Sequence, residues 1–217
     1  MKKIILNLLI IVIAIPVFAQ MQFGVKVGAN ISNIIGDHNQ NINSNEYSQD
    51  GIQYTTKIGY NGGVFITVPI KGKFSLQPEL IYSSQGARFK ILDVDVSGNI
   101  LNEGTGHLNL SYVQVPLLAK FTFHHKFYVQ TGPQIGLLVS AKEYNTGEQS
   151  YHVESSFQSA DIAWGIGIGY TSLSGTGFDL RYNLGLNSID KNSSDFNDHN
   201  SNLQLGVFCV IRRRKHG

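Results

Sequence analysis

The sequence predicts an all-β chain, an eight-stranded antiparallel up-and-down transmembrane β-barrel. Three observations carry that prediction. Apolar and polar residues alternate with period two in eight separate segments, the connections between them alternate long and short, and charge is scarce. Charged residues make up 15% of the 217, with 23 glycines, 10 tyrosines and 12 phenylalanines. Soluble domains carry roughly 25% charged residues. This composition excludes a disordered chain, a coiled coil and a nucleic-acid binder. The single cysteine, Cys209, leaves no intrachain disulfide framework and no cysteine-based zinc cluster.

Residues 1–19 read as a signal peptide and residues 20–217 as one outer-membrane β-barrel domain. Lys2 and Lys3 form a basic start, Ile4 to Ile15 an apolar run, and Val17-Phe18-Ala19 a small-residue end for cleavage before Gln20. That run is short for the ~20 residues a spanning helix needs. Cleavage removes both lysines and takes the formal charge from +2 to zero.

From there each segment has one apolar and one polar or glycine face. Phe23, Val25, Val27, Ala29 and Ile31 alternate with Gly24, Lys26, Gly28, Asn30 and Ser32. Ile58, Tyr60, Val64, Ile66 and Val68 make the second apolar face, and Phe74, Leu76, Leu80 and Tyr82 the third, opposite Gln77 and Glu79. Val113, Val115, Leu117, Ala119 and Phe121 oppose Gln114 and Lys120, with Leu118 out of pattern. Phe127, Val129, Ile135, Leu137 and Val139 oppose Gln130, Gly132, Gln134 and Gly136. Ile162, Trp164, Ile166, Ile168 and Tyr170 oppose three glycines. Phe178, Leu180, Tyr182, Leu184 and Leu186 oppose Asp179 and Arg181, and Leu203, Leu205, Val207, Cys209 and Ile211 close the series.

The connections fall at about 34–56, 71–73, 90–106, 124–126, 143–159, 172–176 and 188–200. Long loops at one end and tight turns at the other are the layout of an outer-membrane barrel, which puts the tight turns and both termini in the periplasm. Charge sorts the same way. The long loops hold Asp37, Glu46, Asp50, Asp93, Asp95, Glu103, Glu143, Glu148, Glu154, Asp190, Asp195 and Asp198 against Lys90 and Lys191, a net −10. The tight turns and tail hold Lys71, Lys73, Lys126, Arg212, Arg213, Arg214 and Lys215 with no acid.

A secreted lipocalin-like barrel also alternates, but with its apolar face inward. Glycines rather than charges on the polar face favour the membrane form, as do aromatics near strand ends (Tyr60, Phe74, Tyr82, Phe121, Phe127, Tyr170, Phe178) that suit interfacial girdles. Pro78, Pro116 and Pro133 lie inside proposed strands of a barrel without edges, so each should mark a bulge or lose a ladder bond.

The stretches LQPEL (76–80), YVQVPLLAKF (112–121), YVQTGPQIGLL (128–138), GIGIGY (165–170) and GFDLRYNLGL (177–186) resemble the PorT-like outer-membrane β-barrel family of the Bacteroidetes. The resemblance spans the mature chain, including the three prolines. It implies an eight-stranded barrel in the cell outer membrane, and its namesake takes part in a protein-secretion and gliding apparatus. The end of the chain departs from the usual final aromatic residue of barrel-assembly substrates: Phe208-Cys209-Val210-Ile211 is followed by 212–217.

Eight strands enclose a lumen that side chains fill. Lys26, Gln77, Glu79, Gln114, Lys120, Gln130, Gln134, Asp179 and Arg181 point into it, as a bracing ion-pair network or, alternatively, a narrow ion path. Lys26 with Glu79, and Asp179 with Arg181, are the expected contacts. The histidines lack metal-ligand spacing, and no cofactor is expected. Glu103, His107 and Ser111 could suggest a lipid-modifying nucleophile with a base. Residues four apart on a strand stand about 13 Å apart, so ordinary loop-proximal polarity is the simpler reading. The basic tail Arg212, Arg213, Arg214 and Lys215 suits anionic lipid headgroups.

The expected function is therefore a non-enzymatic, integral outer-membrane barrel presenting acidic loops for structural or recognition roles. A narrow channel or secretion-assembly component is one alternative and a lipid-A-modifying enzyme a second. Expected partners are outer-membrane lipid and lipopolysaccharide, the barrel-assembly machinery during insertion, and an extracellular or secretion-system protein, with no nucleic acid.

Overall fold

The computed structural model describes residues 21–35, 51–94, 100–124, 126–145, 151–153, 157–189 and 199–211. The expected signal peptide, the basic tail Arg212–Lys215 and most of the loop acids lie outside the described residues. Ten strands follow in order: β1 (Gln22–Ile35), β2 (Gly51–Thr55), β3 (Lys57–Lys71), β4 (Phe74–Val94), β5 (Ile100–Phe123), β6 (Phe127–Asn145), β7 (Tyr151–His152), β8 (Ala160–Thr171), β9 (Thr176–Gly185) and β10 (His199–Ile211).

Every pairing is antiparallel, and eight strands close a circuit in the order β4-β3-β1-β10-β9-β8-β6-β5, with β5 returning to β4. The closing seam runs from Phe23↔Ile211 to Ile35↔His199, so the first and last strands leave no free edge. The two further strands lie at the long-loop end. Short β2 pairs with β4 from Gly51↔Leu92 to Thr55↔Arg88, carrying the line of β3 onward, and β7 adds to β6 at Lys142↔His152.

Tight turns join β3 to β4, β5 to β6 and β8 to β9, and each contains a left-handed residue: Gly72 (φ 58), His124 (φ 50) and Gly175 (φ 93). Glycine adopts that conformation without steric cost, whereas His124 holds it with a Cβ. The opposite end differs from the sequence expectation. Residues 90–94 and 100–106, expected within a loop, are strand, because β4 and β5 stay paired from Lys90↔Thr105 out to Asp93↔Asn102. Along this extension the apolar alternation that marks a membrane-facing strand disappears from the sequence while the backbone ladder continues.

The apolar faces point outward. Val27 is 60% exposed, Val64 51%, Ile166 63% and Leu184 40%, while Lys26, Glu79, Asp179 and Arg181 are each at most 3% exposed. This inverts the arrangement of a water-soluble barrel and excludes the lipocalin-like alternative. At the tight-turn end Phe123, Phe127, Tyr170 and Phe178 form a chain of ring contacts, with Phe74–Phe121 beside it. Tyr60 and Tyr82 stand 6.2 Å apart toward the other end. The tight-turn contacts make an aromatic band of the kind that borders a spanning barrel, and Tyr60 with Tyr82 places one aromatic pair toward the opposite border.

The prolines resolve without bulges. Pairing lapses between Phe65↔Glu79 and Val68↔Leu76, between Pro78↔Leu117 and Ile81↔Gln114, and between Pro116↔Gln134 and Ala119↔Thr131, with the register unchanged across each gap. Each proline thus removes ladder bonds on one side of its strand and leaves alternation intact. Leu118, out of pattern in the sequence, is the inward residue between Pro116 and Lys120, 1% exposed.

Candidate functional site

The lumen is the candidate site, and it is built in layers. At its centre Arg181 Nη2 donates to Glu79 Oε2 at 2.7 Å. Strands β4 and β9 are four places apart in either direction round the ring, so this bond spans the barrel's full width. Lys26, on β1 midway between them, donates to Asp179 Oδ2 at 2.8 Å and lies 3.6 Å from Glu79 Oε1.

The expected Lys26–Glu79 contact is present, but Asp179 and Arg181 do not pair with one another among the described ion pairs. Side chains at i and i+2 stand nearly 7 Å apart along a strand, and each finds its counter-ion across the lumen instead. Gly206 makes room for this: a Cβ there would lie 2.9 Å from Asp179 Oδ1 and 3.4 Å from Lys26 Cε.

Gln77 extends the cluster. Its Nε2 donates to Glu79 Oε1 at 2.8 Å, and its Oε1 accepts from Thr67 Oγ1 at 3.0 Å and from Lys120 Nζ at 3.3 Å. Lys120 also sits over the Tyr128 ring, 3.5 Å from its centroid. Of the residues singled out from sequence, Lys26, Gln77, Glu79, Lys120, Asp179 and Arg181 are therefore brought into one cluster. Gln134 is buried but stands apart, its Oε1 without a protein partner, as are both side-chain polar atoms of Gln114, Gln130, Asn183 and Asn202. Gln114, Gln134, Asn183 and Asn202 lie farther from the tight turns along their strands than the ions do, whereas Gln130 is the register partner of Lys120.

A second polar group lies toward the long-loop end. Asn30 Nδ2 donates to Ser83 Oγ at 2.9 Å and to the carbonyl of Ser84 at 3.1 Å, and Asn30 Oδ1 accepts from Asn61 Nδ2 at 2.6 Å. Asn200 Nδ2 donates to Asp161 Oδ2 at 3.0 Å and to the Tyr112 hydroxyl at 3.3 Å.

Both ends carry apolar layers that period-two reasoning did not find. Phe65, Tyr128, Phe208 and Val210 pack together at the tight-turn end, with Phe65 and Phe208 edge to face at 5.7 Å. At the other end Ile34, Ala87, Leu108, Leu110, Tyr112, Ala141 and Ile189 form a buried cluster. The sequence signal was present, since Phe65, Phe208 and Val210 stand on the otherwise polar face near strand ends.

Of the Glu103, His107 and Ser111 trio, His107 and Ser111 stand in different surroundings. His107 is exposed on the β5 extension, stacked on Tyr144 at 4.6 Å, whereas Ser111 is buried. The side chain of Glu103 lies outside the described residues. Partial burial, with the positive charges of Lys57 and Arg88 nearby, holds the His107 imidazole below its usual range. Among the described residues, no group of three or more His, Cys, Asp or Glu could hold a metal ion.

Comparison with known proteins agrees with this geometry. The family described as an outer membrane protein beta-barrel domain matches residues 18–191. Among solved structures, Neisserial surface protein A is similar with a TM-score of 0.51 and 13% identity, covering 87% of this chain and 97% of that one. The attachment invasion locus protein Ail of Yersinia pestis gives 0.40 at 15% identity, covering 87% and 98%. OprG of Pseudomonas aeruginosa gives 0.39 at 9%, covering 88% and 96%. No curated protein sequence matches. Outward apolar strands, a closed circuit and a family match over most of the length lead to one assignment: the chain belongs to the outer membrane protein beta-barrel domain family and resides in the cell outer membrane.

Proposed function

We propose that the protein is a non-enzymatic, closed outer-membrane barrel that serves as a scaffold, with its tight turns in the periplasm and its long-loop end presented outward for recognition. The observation that carries this reading is the Arg181–Glu79 bond across the whole lumen. Two charges that neutralise one another over the barrel's width brace opposite walls and obstruct solute passage, and the apolar layers at both ends add to the obstruction. The paired extensions of β4, β5 and β6 supply a rigid platform beyond the membrane on which variable loops can carry contacts.

In this reading the partners are outer-membrane lipid and lipopolysaccharide, the assembly machinery during insertion, and a protein outside the cell or in a secretion assembly. The resemblance of five sequence stretches to the PorT-like family favours the last of these. Planar-bilayer recording from pure refolded protein tests the closed lumen. A silent bilayer, from protein whose unheated and boiled gel bands differ, is expected; stepwise currents would overturn the scaffold reading in favour of a narrow channel. Unchanged lipid A masses in a host expressing the protein are expected from a non-enzymatic barrel.

A further inference from the structure

Lys120 is the cation of the ion cluster that lacks a carboxylate partner among the described residues. Lys26 and Arg181 are matched by Asp179 and Glu79, but Lys120, 8% exposed, has no carboxylate within ion-pair distance among the described residues. Its ammonium makes one long hydrogen bond, to Gln77, and otherwise faces the rings of Tyr128 and Phe208. An unmatched buried cation is costly to keep unless an anion reaches it.

Lys120 also lines a cavity of about 700 Å³ that opens at the tight-turn end. Phe65 and Phe208 contribute to the wall of this cavity; Lys73, His124 and Lys126, all from the tight turns, contribute further basic groups, and among the described residues no Asp or Glu lines it. The Thr122 hydroxyl adds a neutral donor to the same wall, while that of Ser172 bonds Ser174 and Thr176.

We propose that this mouth is a binding site for a phosphate group, with Lys120 as the buried charge and Lys73 and Lys126 as the outer ones. A phosphate offers several acceptor oxygens to the ammonium and hydroxyl donors of this wall, and binding one at Lys120 would supply the anion that its ammonium lacks. The site depends on neither loop recognition nor barrier function, so its test is separate from bilayer recording.

The test follows backbone amide shifts of Lys120, Thr122 and Lys73 in refolded, heat-modifiable protein during titration with inorganic phosphate. The protein is held in phosphatidylcholine nanodiscs with and without phosphatidylglycerol. Saturable shifts are expected, weakened about tenfold or more by Lys120→Gln and about threefold by combined Lys73→Gln and Lys126→Gln. The outer pair lies on turns, so it decides the outcome if Lys120→Gln fails to refold. Competition by phosphatidylglycerol would identify a lipid headgroup as the occupant, and its absence a soluble phosphate; both support the site. Shifts that do not saturate in either disc, or that neither variant weakens, would overturn it.

Discussion

Arg181 and Glu79, 102 residues apart in sequence, meet at 2.7 Å in the centre of the lumen, each essentially inaccessible to solvent. They come from opposite walls, and Lys26 from a third direction ties Glu79 to Asp179. The cluster thus ties three strands that share no direct ladder, β1, β4 and β9.

Removing one member should be far worse than removing a matched pair. Glu79→Gln leaves Arg181 without its carboxylate and is expected to cost about 3–5 kcal/mol. Joint replacement Glu79→Met with Arg181→Met should recover much of that loss. Urea unfolding in lipid vesicles, followed by the fluorescence of Trp164, measures both. Equal destabilisation by the single and double variants would contradict a coupled pair.

Restoring a ladder donor should stabilise the wall. Pairing lapses beside Pro78 while register is kept, so Pro78→Val adds an N–H where the geometry already suits one. An increase of about 0.5–1.5 kcal/mol in the same unfolding measurement is expected. A loss of stability would mean that the proline's fixed φ matters more than the missing bond.

His107 should titrate below the ordinary histidine range, because partial burial and then Lys57 and Arg88 disfavour its charged form. The sign follows directly. With the folded value depressed, the unfolded chain binds the proton more readily, so this residue's contribution is present above the unfolded value and lost as pH falls through the folded one. Imidazole NMR shifts check the value, and Lys57→Met should move it upward. A titration at or above the unperturbed value would refute this.

The aromatic layer and the ion cluster act in series. Phe65→Ala with Phe208→Ala opens the tight-turn end but leaves the Arg181–Glu79 bond in place. Bilayers containing this variant are expected to stay silent, while addition of Glu79→Ala should produce currents limited by the apolar layer at the long-loop end. Conductance from the double-phenylalanine variant alone would place the barrier in the rings.

Much of this was legible in the order of residues. Lipid is a uniform apolar solvent, so each crossing strand must turn every second side chain toward it, and Phe23 to Ile31 or Ile162 to Tyr170 display that rule without reference to any other strand. The three tight turns and the inward set Lys26, Glu79, Asp179 and Arg181 follow from the same local period. Elsewhere the rule lapses: Lys90 to Val94 and Ile100 to Gly106 pair as strands and carry no alternation. The inward rings of Phe65, Tyr128 and Phe208 likewise escape it, because a lumen end packs against itself. Partnership across the lumen was beyond any local reading. That Arg181 meets Glu79 and Asp179 meets Lys26 depends on how ring closure sets the level of strands far apart in the chain, a quantity that the whole circuit of registers decides together.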